Sequence, residues 1–482
     1  MNRPRLLRPS FPISSFNESN DRAMRDQHFN MHTRGSRSMI PRCWGRAAIT
    51  IAIGMIVGTQ AADAADLIQV YREAAGNDAQ YAAARNLLLA GRERLPQGLS
   101  LLLPQISGTV SDSRINFVAD RPSPFPGVSS TYNQRGYTLS LSQPLFRWSN
   151  YQQYQQGKLS VILSEAQYAQ SQQDLIVRVV QAYFDVLYAE DSINYIVAQK
   201  AAISEQLASA KRNFEVGTTT ITDTNEAQAK YDLAVAQEIL SRSNLDIARA
   251  ALQQIIGKPP ANLAPLVRDV QMSPPQPAEI DPWVSSAEQQ NYVVAQNQAN
   301  LEIAKRQIEV NRSGHYPTLD LVASRAYNTG ASAISLATSQ TSNSIGLQLS
   351  VPIYSGGFAS SKVREGIALA DKAKNDLDFA RRTAAQSARQ AYFGVTSGLA
   401  QVRALQAAEV SSQSALDSNK LGYQVGLRIN IDVLNAQQQL YSTQRDLARA
   451  RYDTLLNGLR LKSAAGTLTE DDLARINALL QH

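Results

Sequence analysis

Two short segments hold the side chains that could do chemistry in this 482-residue chain: FEVGTTTITDTNE at 214–226 and YQVGLRINIDVLN at 423–435. They contain the aspartates Asp223 and Asp432, together with the phenol of Tyr423 and the guanidinium of Arg428. A phenol and a guanidinium can each bond a carboxylate, and a few such bonds can hold helices together. The same carboxylates are well placed to cap helices, so bonding and capping are both open interpretations.

The two segments are copies within an internal duplication. Four pairs of landmarks are each separated by 209 residues: Gly217 and Gly426, Asp223 and Asp432, Tyr183 and Tyr392, Gly257 and Gly466. One period shared by several landmarks indicates a repeat. Each copy is predicted to be a long helix, a turn at the glycine, and a second helix that opens at the aspartate. In the capping interpretation, Asp223-x-x-Glu226 is a capping box and Asp432 is an N-cap.

The residue pattern favours no catalytic chemistry. The sequence contains neither a nucleotide-binding loop nor paired metal ligands at helical spacing, so no cofactor or metal is expected. Beyond residue 64 the histidines are His315 and His482. His315 precedes Tyr316-Pro317 and is interpreted as a residue at the entry of a strand.

The first copy is placed at 65–264. Apolar residues three and four apart predict a helix over 65–95, stopped by Pro96 and Pro104. Two strands follow, one beginning near Leu103 and continuing through QISGTVSDSRINF, the other alternating over 137–142 and ending at Pro144. A helix over 150–215 would reach roughly 100 Å, and a second helix is predicted over 223–256.

The second copy, at 283–474, repeats this order after a Pro-rich linker at 265–282. We predict a helix over 283–312, strands at YPTLDLVASRAYN and SIGLQLSVPIY, a long helix from Gly356-Gly357 to Tyr423, and a closing helix over 432–465. Residues 475–482 are assigned to a C-terminal tail.

Residues 1–64 are predicted to be a leader and signal peptide. The apolar run 47–57 is flanked by Arg42 and Arg46 and followed by AADAAD, so cleavage is expected near Ala64. Residues 1–38 are an unusual prelude to a signal, and Met39 is an alternative start. The leader also holds the single cysteine, Cys43, so the mature chain has no thiol.

Charge does not favour nucleic-acid binding. Of the formal net charge of +6, the leader contributes +5, from nine arginines and four acidic residues. The remainder is therefore close to neutral, whereas nucleic-acid binding proteins carry basic surfaces.

Four alternating strands of about ten residues are long enough to cross an outer membrane when tilted. Four strands cannot close a barrel, and an open sheet edge is not tolerated in lipid. We therefore predict a mainly α fold with a small membrane β-barrel shared between copies of the chain, the long helices forming a periplasmic tube.

The segments FEVGTTTITDTNEAQAKYD, YQVGLRINIDVLNAQQQLY and LLNGLRLKSAAGTLTEDDL resemble the TolC family of outer-membrane channels, over essentially all of 65–474. The resemblance implies a homotrimer with a twelve-stranded barrel on an α-helical barrel. It implies an export duct for type I protein secretion and/or multidrug efflux, with an inner-membrane ABC or proton-driven pump and a periplasmic adaptor as partners. The alternative within this class is a drug or metal efflux channel without a secretion role; outside it, the alternative is a periplasmic coiled-coil scaffold without a pore.

The resemblance also implies roles for the residues of the two turns. Tyr423 and Arg428 match the positions that link the tip shut, and Thr222 and Asp223 match their partners. Asp432 matches a pore-facing carboxylate ring that favours cations, while Asn435 stands where the family has a second carboxylate, so strong divalent-cation binding is not expected. Gly217 and Gly426 lie where the family docks its adaptor.

Overall fold

The computed structural model describes residues 65–119, 128–267, 270–330 and 339–481. The predicted leader, with its cleavage site, and His482 lie outside these ranges. Hydropathy identifies no candidate membrane span among the helices of the described residues.

The described part of the chain begins with three short helices, α1 (Leu67–Asn77), α2 (Ala79–Arg92) and α3 (Arg94–Ser100), where a single helix was predicted. The break comes from Asp78, which ends α1 and caps α2 by accepting from the Tyr81 N–H at 2.6 Å. The prediction that Pro96 stops the helix is wrong. Pro96 is the third residue of α3, within the first turn, where a backbone N–H has no helical partner to lose.

The four strands form one antiparallel sheet in the order β1 (Gln105–Ala119), β2 (Val128–Phe146), β3 (Thr318–Thr329) and β4 (Ser339–Ser350). The β2–β3 pairing joins the two repeats. β2 continues past Pro144, because the pairing register shifts between Pro144 and Phe146 and proline is tolerated at such irregularities. β4 starts earlier and ends earlier than predicted. The outer edges of β1 and β4 have no partner strand in this sheet.

The helices of the hairpins are long and closely match prediction. The first hairpin is α4 (Trp148–Glu215) and α5 (Ile221–Ile256), and the second is α8 (Phe358–Gln424) and α9 (Asn430–Ala464). With 68 residues, α4 spans about 100 Å. Gly357 precedes α8 with φ of +82°, as expected for a glycine that starts a turn.

Between the repeats, α6 (Asp281–Gln290) and α7 (Tyr292–Arg312) replace the single helix predicted over 283–312. Asn291 separates them and caps α7, because its side chain accepts from the Val293 N–H at 2.9 Å. A 3-10 turn, Ser313–His315, leads into β3, and His315 is exposed there.

The largest core lies midway along α4, where α1, α5, α9 and the C-terminal helix α10 (Glu470–Asn477) meet. Tyr183 is fully buried there and donates from its hydroxyl to the Ala264 carbonyl oxygen at 2.8 Å. Burial raises the pKa of Tyr183 above its ordinary value, so the hydroxyl remains a donor. The boundary predicted at residue 474 falls inside α10, and Ile476 and Leu480 of the predicted tail are buried.

Candidate functional site at the hairpin tips

The turn between α4 and α5 is closed by backbone hydrogen bonds. The N–H groups of Gly217 and Thr218 donate to the carbonyl oxygens of Phe214 and Asn213 at 3.0 and 2.8 Å. Gly217 has φ of +79°, the left-handed conformation that glycine adopts most easily at a helix end. The turn lies where the duplicated glycine predicted it.

Thr220 and Asp223 cap α5 reciprocally. The Asp223 N–H donates to Thr220 Oγ1 at 3.3 Å, and the Thr220 N–H donates to Asp223 Oδ2 at 3.1 Å. The Thr220 hydroxyl also donates to Asp223 Oδ2 at 2.9 Å. The predicted box of Asp223 with Glu226 is therefore wrong: α5 begins earlier, because the Thr220 hydroxyl already satisfies a free amide of the first turn.

The second turn has the same backbone geometry but no side-chain cap. Gly426 has φ of +77°, and the Leu427 N–H donates to the Gly422 carbonyl oxygen at 2.8 Å. Ile429 occupies the N-cap of α9, and its side chain offers no acceptor. The predicted N-cap role of Asp432 is wrong, because Asp432 lies at the third helical position and its N–H donates to the Ile429 carbonyl oxygen at 3.1 Å.

Tyr423 connects the two hairpins within the chain. Its hydroxyl accepts a hydrogen bond from Asn213 Nδ2 at 3.2 Å, across from α8 to α4. Asn213 was not identified from the sequence. The duplication could have pointed to Asn213. Asn213 lies 209 residues before Gly422, so it occupies in the first copy the position that precedes Tyr423 in the second.

Arg428 lies over Gly422 and pairs with Asp432. A Cβ at Gly422 would lie 2.7 Å from the Arg428 Cγ, so the arginine stem occupies the space that this glycine leaves. Arg428 Nη1 is 3.6 Å from Asp432 Oδ2, with the two side chains 59 and 35% exposed. An ion pair this exposed contributes little to stability and can be exchanged for another partner.

Arg428, Asp432 and Asn435 line one polar cleft of about 530 Å³ between α8 and α9. Serine and amide side chains complete its walls: Ser411, Ser412, Asn419 and Gln439. The structure thus brings together three of the residues predicted for the second tip, whereas Tyr423 and Gly426 do not line this cleft. Thr222 is exposed, and within the single chain Tyr423 and Arg428 make the contacts above rather than bonds to Thr222 and Asp223. Tip links to those two residues stay a prediction.

Buried polar side chains lie where α9 packs against the first hairpin. Asn430 and Gln437 lie on one stripe of α9 with the apolar Leu434 between them, and the three residues are 1, 2 and 1% exposed in that order. Both polar atoms of Asn430 and the Oε1 of Gln437 lack a hydrogen-bond partner among the described residues, as do the Oε1 of Gln206 on α4 and the Oγ1 of Thr224 on α5. Each such atom costs about 1–3 kcal/mol, so the packing of α9 is weakened at the tip.

The described residues contain no group of three or more His, Cys, Asp or Glu side chains placed to hold a metal ion.

Comparisons with known proteins agree with this architecture. The family model described as outer membrane efflux protein matches residues 70–258 and 283–467, one segment for each repeat. The outer membrane protein TolC from Escherichia coli strain K12 is 34% identical over 447 residues, covering 90% of this chain and 88% of that protein. The alkaline protease secretion protein AprF from Pseudomonas aeruginosa is 34% identical over 425 residues, 86% of each chain.

The fold is also that of solved outer-membrane channels. The crystal structure of the CmeC channel from Campylobacter jejuni superposes with a TM-score of 0.74, covering 92% of this chain and 98% of that one at 19% identity.

Proposed function

The chain belongs to the outer membrane efflux protein family, and we propose that it is an export duct through the outer membrane, assembled as a homotrimer. The duct serves type I protein secretion, multidrug efflux or both. Residues 1–64 act as leader and secretory signal, cleaved near Ala64, which delivers the chain to the periplasm and outer membrane.

The observation that carries this proposal is an open four-stranded sheet set on helices about 100 Å long. Among the described strands, β1 and β4 each have one edge without a partner strand, and lipid offers the backbone groups of an open edge no partner. Three copies would close twelve strands into a barrel. The exposed apolar side chains Ile345, Leu347 and Leu349 of β4, 78, 67 and 65% exposed, suit contact with outer-membrane lipid.

The hairpin tips would meet the other components of the export machine, a periplasmic adaptor and an inner-membrane ABC or proton-driven pump. Apolar side chains beside the turn glycines are open to solvent: Val216 is 73% exposed and Leu427 is 81% exposed. Exposed apolar groups around Gly217 and Gly426 are suited to contact with a partner protein.

At the tip, Tyr423 and Arg428 would hold the duct shut, with Thr222 and Asp223 as partners across the assembled tube. Asp432 would form a ring of carboxylates that favours cations. Asn435 adds no charge to this ring, so divalent cations would block the duct only weakly.

A planar-bilayer experiment tests the gate. The mature protein should show a small, cation-selective conductance that rises several-fold in Tyr423→Phe/Arg428→Ser, because both donors to the linked partners are lost. Arg212→Ser is the matched control: Arg212 is an exposed arginine in the last turn of α4, and its loss should leave conductance unchanged.

A protein that forms no channel would refute the duct and favour a periplasmic scaffold. A large parent conductance that the double substitution does not change would keep the duct and place the gate elsewhere.

The second candidate function is drug or metal efflux without a secretion role. The similarity to AprF, named as a protease secretion protein, favours secretion. A deletion strain scored for both secreted proteins and drug sensitivity separates the two, since a dedicated efflux channel would change only the drug sensitivity.

A further inference from the structure

The sheet has one apolar face and one polar face. In antiparallel strands, residues directly opposite each other point to the same side of the sheet, so Leu141, Ala323 and Ile345 share a face. The same register puts other large apolar side chains on that face: Val110, Tyr137, Leu139, Leu321, Leu347 and Leu349. The opposite face is rich in serine and threonine. In the proposed duct the apolar face is therefore the one that contacts lipid.

Most charges of the sheet lie on this lipid-facing side. The described strands contain five charged side chains: Asp112, Arg114, Arg135, Asp320 and Arg325. Asp320 lies on the polar face, where Arg147 donates to both of its carboxylate oxygens at 2.7 and 2.6 Å. The other four lie on the apolar face, since Asp112 opposes Arg135, Arg114 follows Asp112 by two residues, and Arg325 opposes Leu139. Three arginines and one carboxylate give this face a net positive charge.

The three arginines lie in the half of the sheet remote from the helices. Counted from Leu319 at the helix end of β3, Arg325 is six residues away, and Thr329, which opposes Arg135, is ten residues away. At about 3.3 Å per residue and a tilt near 40°, these positions are about 15 and 25 Å above Leu319. The apolar band of an outer-membrane barrel is about 25 Å tall. Arg135 therefore marks the outer edge of the band, Arg114 lies beyond it, and Arg325 lies inside it.

These guanidinium groups have little compensation within the chain. Arg135 Nε is 3.1 Å from Asp112 Oδ2, with the two side chains 67 and 63% exposed. Arg114 and Arg325 are exposed and form no ion pair with a described residue. An arginine inside the apolar band is costly, but the cost falls towards the interface, and its long side chain can extend to that level. The guanidinium fork matches the oxygens of a phosphate group.

Uncharged side chains complete this face around the arginines. Tyr137 and Tyr327 stack with ring centroids 5.5 Å apart, and aromatic residues line the interfaces of such barrels. Beside and beyond the arginines, the exposed side chains of Asn116, Thr131 and Asn133 present amides and a hydroxyl, which hydrogen-bond hydroxyl groups. From the band outwards, the order is apolar, cationic and then neutral polar. A phosphorylated glycolipid has the same order of acyl chains, phosphates and sugars.

We infer that Arg114, Arg135 and Arg325 bind the phosphate groups of a glycolipid in the outer leaflet of the membrane. Its acyl chains lie on the apolar band, and its sugars contact the amide and hydroxyl side chains beyond. This site rests on the proposed outer-membrane duct and adds a bound lipid to each copy.

Binding of lipid A, a glycolipid with two phosphates, tests the site. The mature trimer in detergent is titrated with lipid A, and bound lipid is counted by native mass measurement. Arg114→Gln/Arg135→Gln/Arg325→Gln should weaken binding by about tenfold or more, because charge-assisted hydrogen bonds to phosphate are lost.

The matched control is Arg72→Gln/Arg212→Gln/Arg475→Gln, which removes three exposed arginines from helices outside the sheet. It should bind lipid A as the parent does. Equal losses in the two triple variants would show attraction by overall charge and would overturn the site.

Asp112→Asn gives a test in the opposite direction, which does not depend on the folding of the triple variants. Asp112 competes with phosphate for Arg135, so its neutralisation should tighten lipid A binding several-fold. Unchanged or weaker binding would contradict the site.

The source of the phosphate is tested with the parent trimer. Lipid A should bind more tightly than lipid A without its phosphates and more tightly than phosphatidylglycerol, and inorganic phosphate should not displace it. Equal binding with and without the phosphates, preference for phosphatidylglycerol, or displacement by inorganic phosphate would each overturn the glycolipid site.

Channel measurements on the same samples separate the site from the duct. A conducting trimer whose lipid A binding is unchanged by Arg114→Gln/Arg135→Gln/Arg325→Gln would overturn the site and leave the duct standing. A mature chain that stays in water without detergent and forms no channel would overturn both.

Discussion

Asn430 buries a primary amide at the start of α9. Its side chain is 1% exposed, and neither polar atom has a partner among the residues described. Leucine has nearly the same shape without the polar atoms. Asn430→Leu should therefore stabilise the protein by about 1–2 kcal/mol, because the desolvation cost of the amide is removed. Thermal unfolding, followed by the helical circular dichroism signal, should show a higher melting temperature.

Asn244→Leu is the control for this substitution, since Asn244 lies exposed on α5 and its replacement relieves no buried group. A lower melting temperature for Asn430→Leu than for the parent would contradict the prediction. It would mean that the amide gains a partner in the assembled protein.

At the scale of elements, the two hairpins differ in how their second helices begin. The first has Thr-Ile-Thr-Asp at 220–223 and a reciprocal cap, whereas the second has Ile-Asn-Ile-Asp at 429–432 and none. Ile429→Thr should install the missing cap and stabilise the first turn of α9 by about 0.5–1 kcal/mol. Hydrogen exchange should then slow at the Asp432 amide.

Thr220→Ala provides the converse, because it removes the cap of α5 and should speed exchange at the Asp223 amide. Unchanged exchange at both amides would show that the hairpin starts are held by packing between helices rather than by their caps.

These caps also show how far the elements could be predicted. The turn glycines were found because the left-handed conformation at a helix end is a local requirement. The capping residues were misassigned by a few positions because threonine and aspartate are both good caps. Asp78 and Asn291 divided predicted helices for the same local reason, although apolar periodicity continued across them.

The contacts of the site were less predictable than its turns. The hydrogen bond between Asn213 and Tyr423 depends on how two hairpins 209 residues apart in sequence are placed side by side. The pairing of Arg428 with Asp432 follows from i, i+4 spacing. That pair could have been predicted from sequence once the start of α9 was known.

At the scale of the whole molecule, the predicted family and mainly α fold are confirmed. The two ends of the described chain also contact each other. Ala65 bridges to Leu263, and Leu266 bridges to Leu480. The Leu67 N–H donates to Asn477 Oδ1 at 2.9 Å. The helix α10 therefore fastens the beginning of the first repeat to the end of the second.

Truncation after Thr469 tests this closure. It removes α10 with the buried side chains of Leu473, Ile476 and Leu480, which are 1, 7 and 3% exposed. At about 1.5–3 kcal/mol for each buried side chain, the loss should be about 5 kcal/mol or more, and the melting temperature should fall sharply. Arg475→Ala, an exposed change in the same helix, should have little effect. A truncated chain that melts at the parent temperature would show that lateral packing of the long helices stabilises the duct without the closure of its ends.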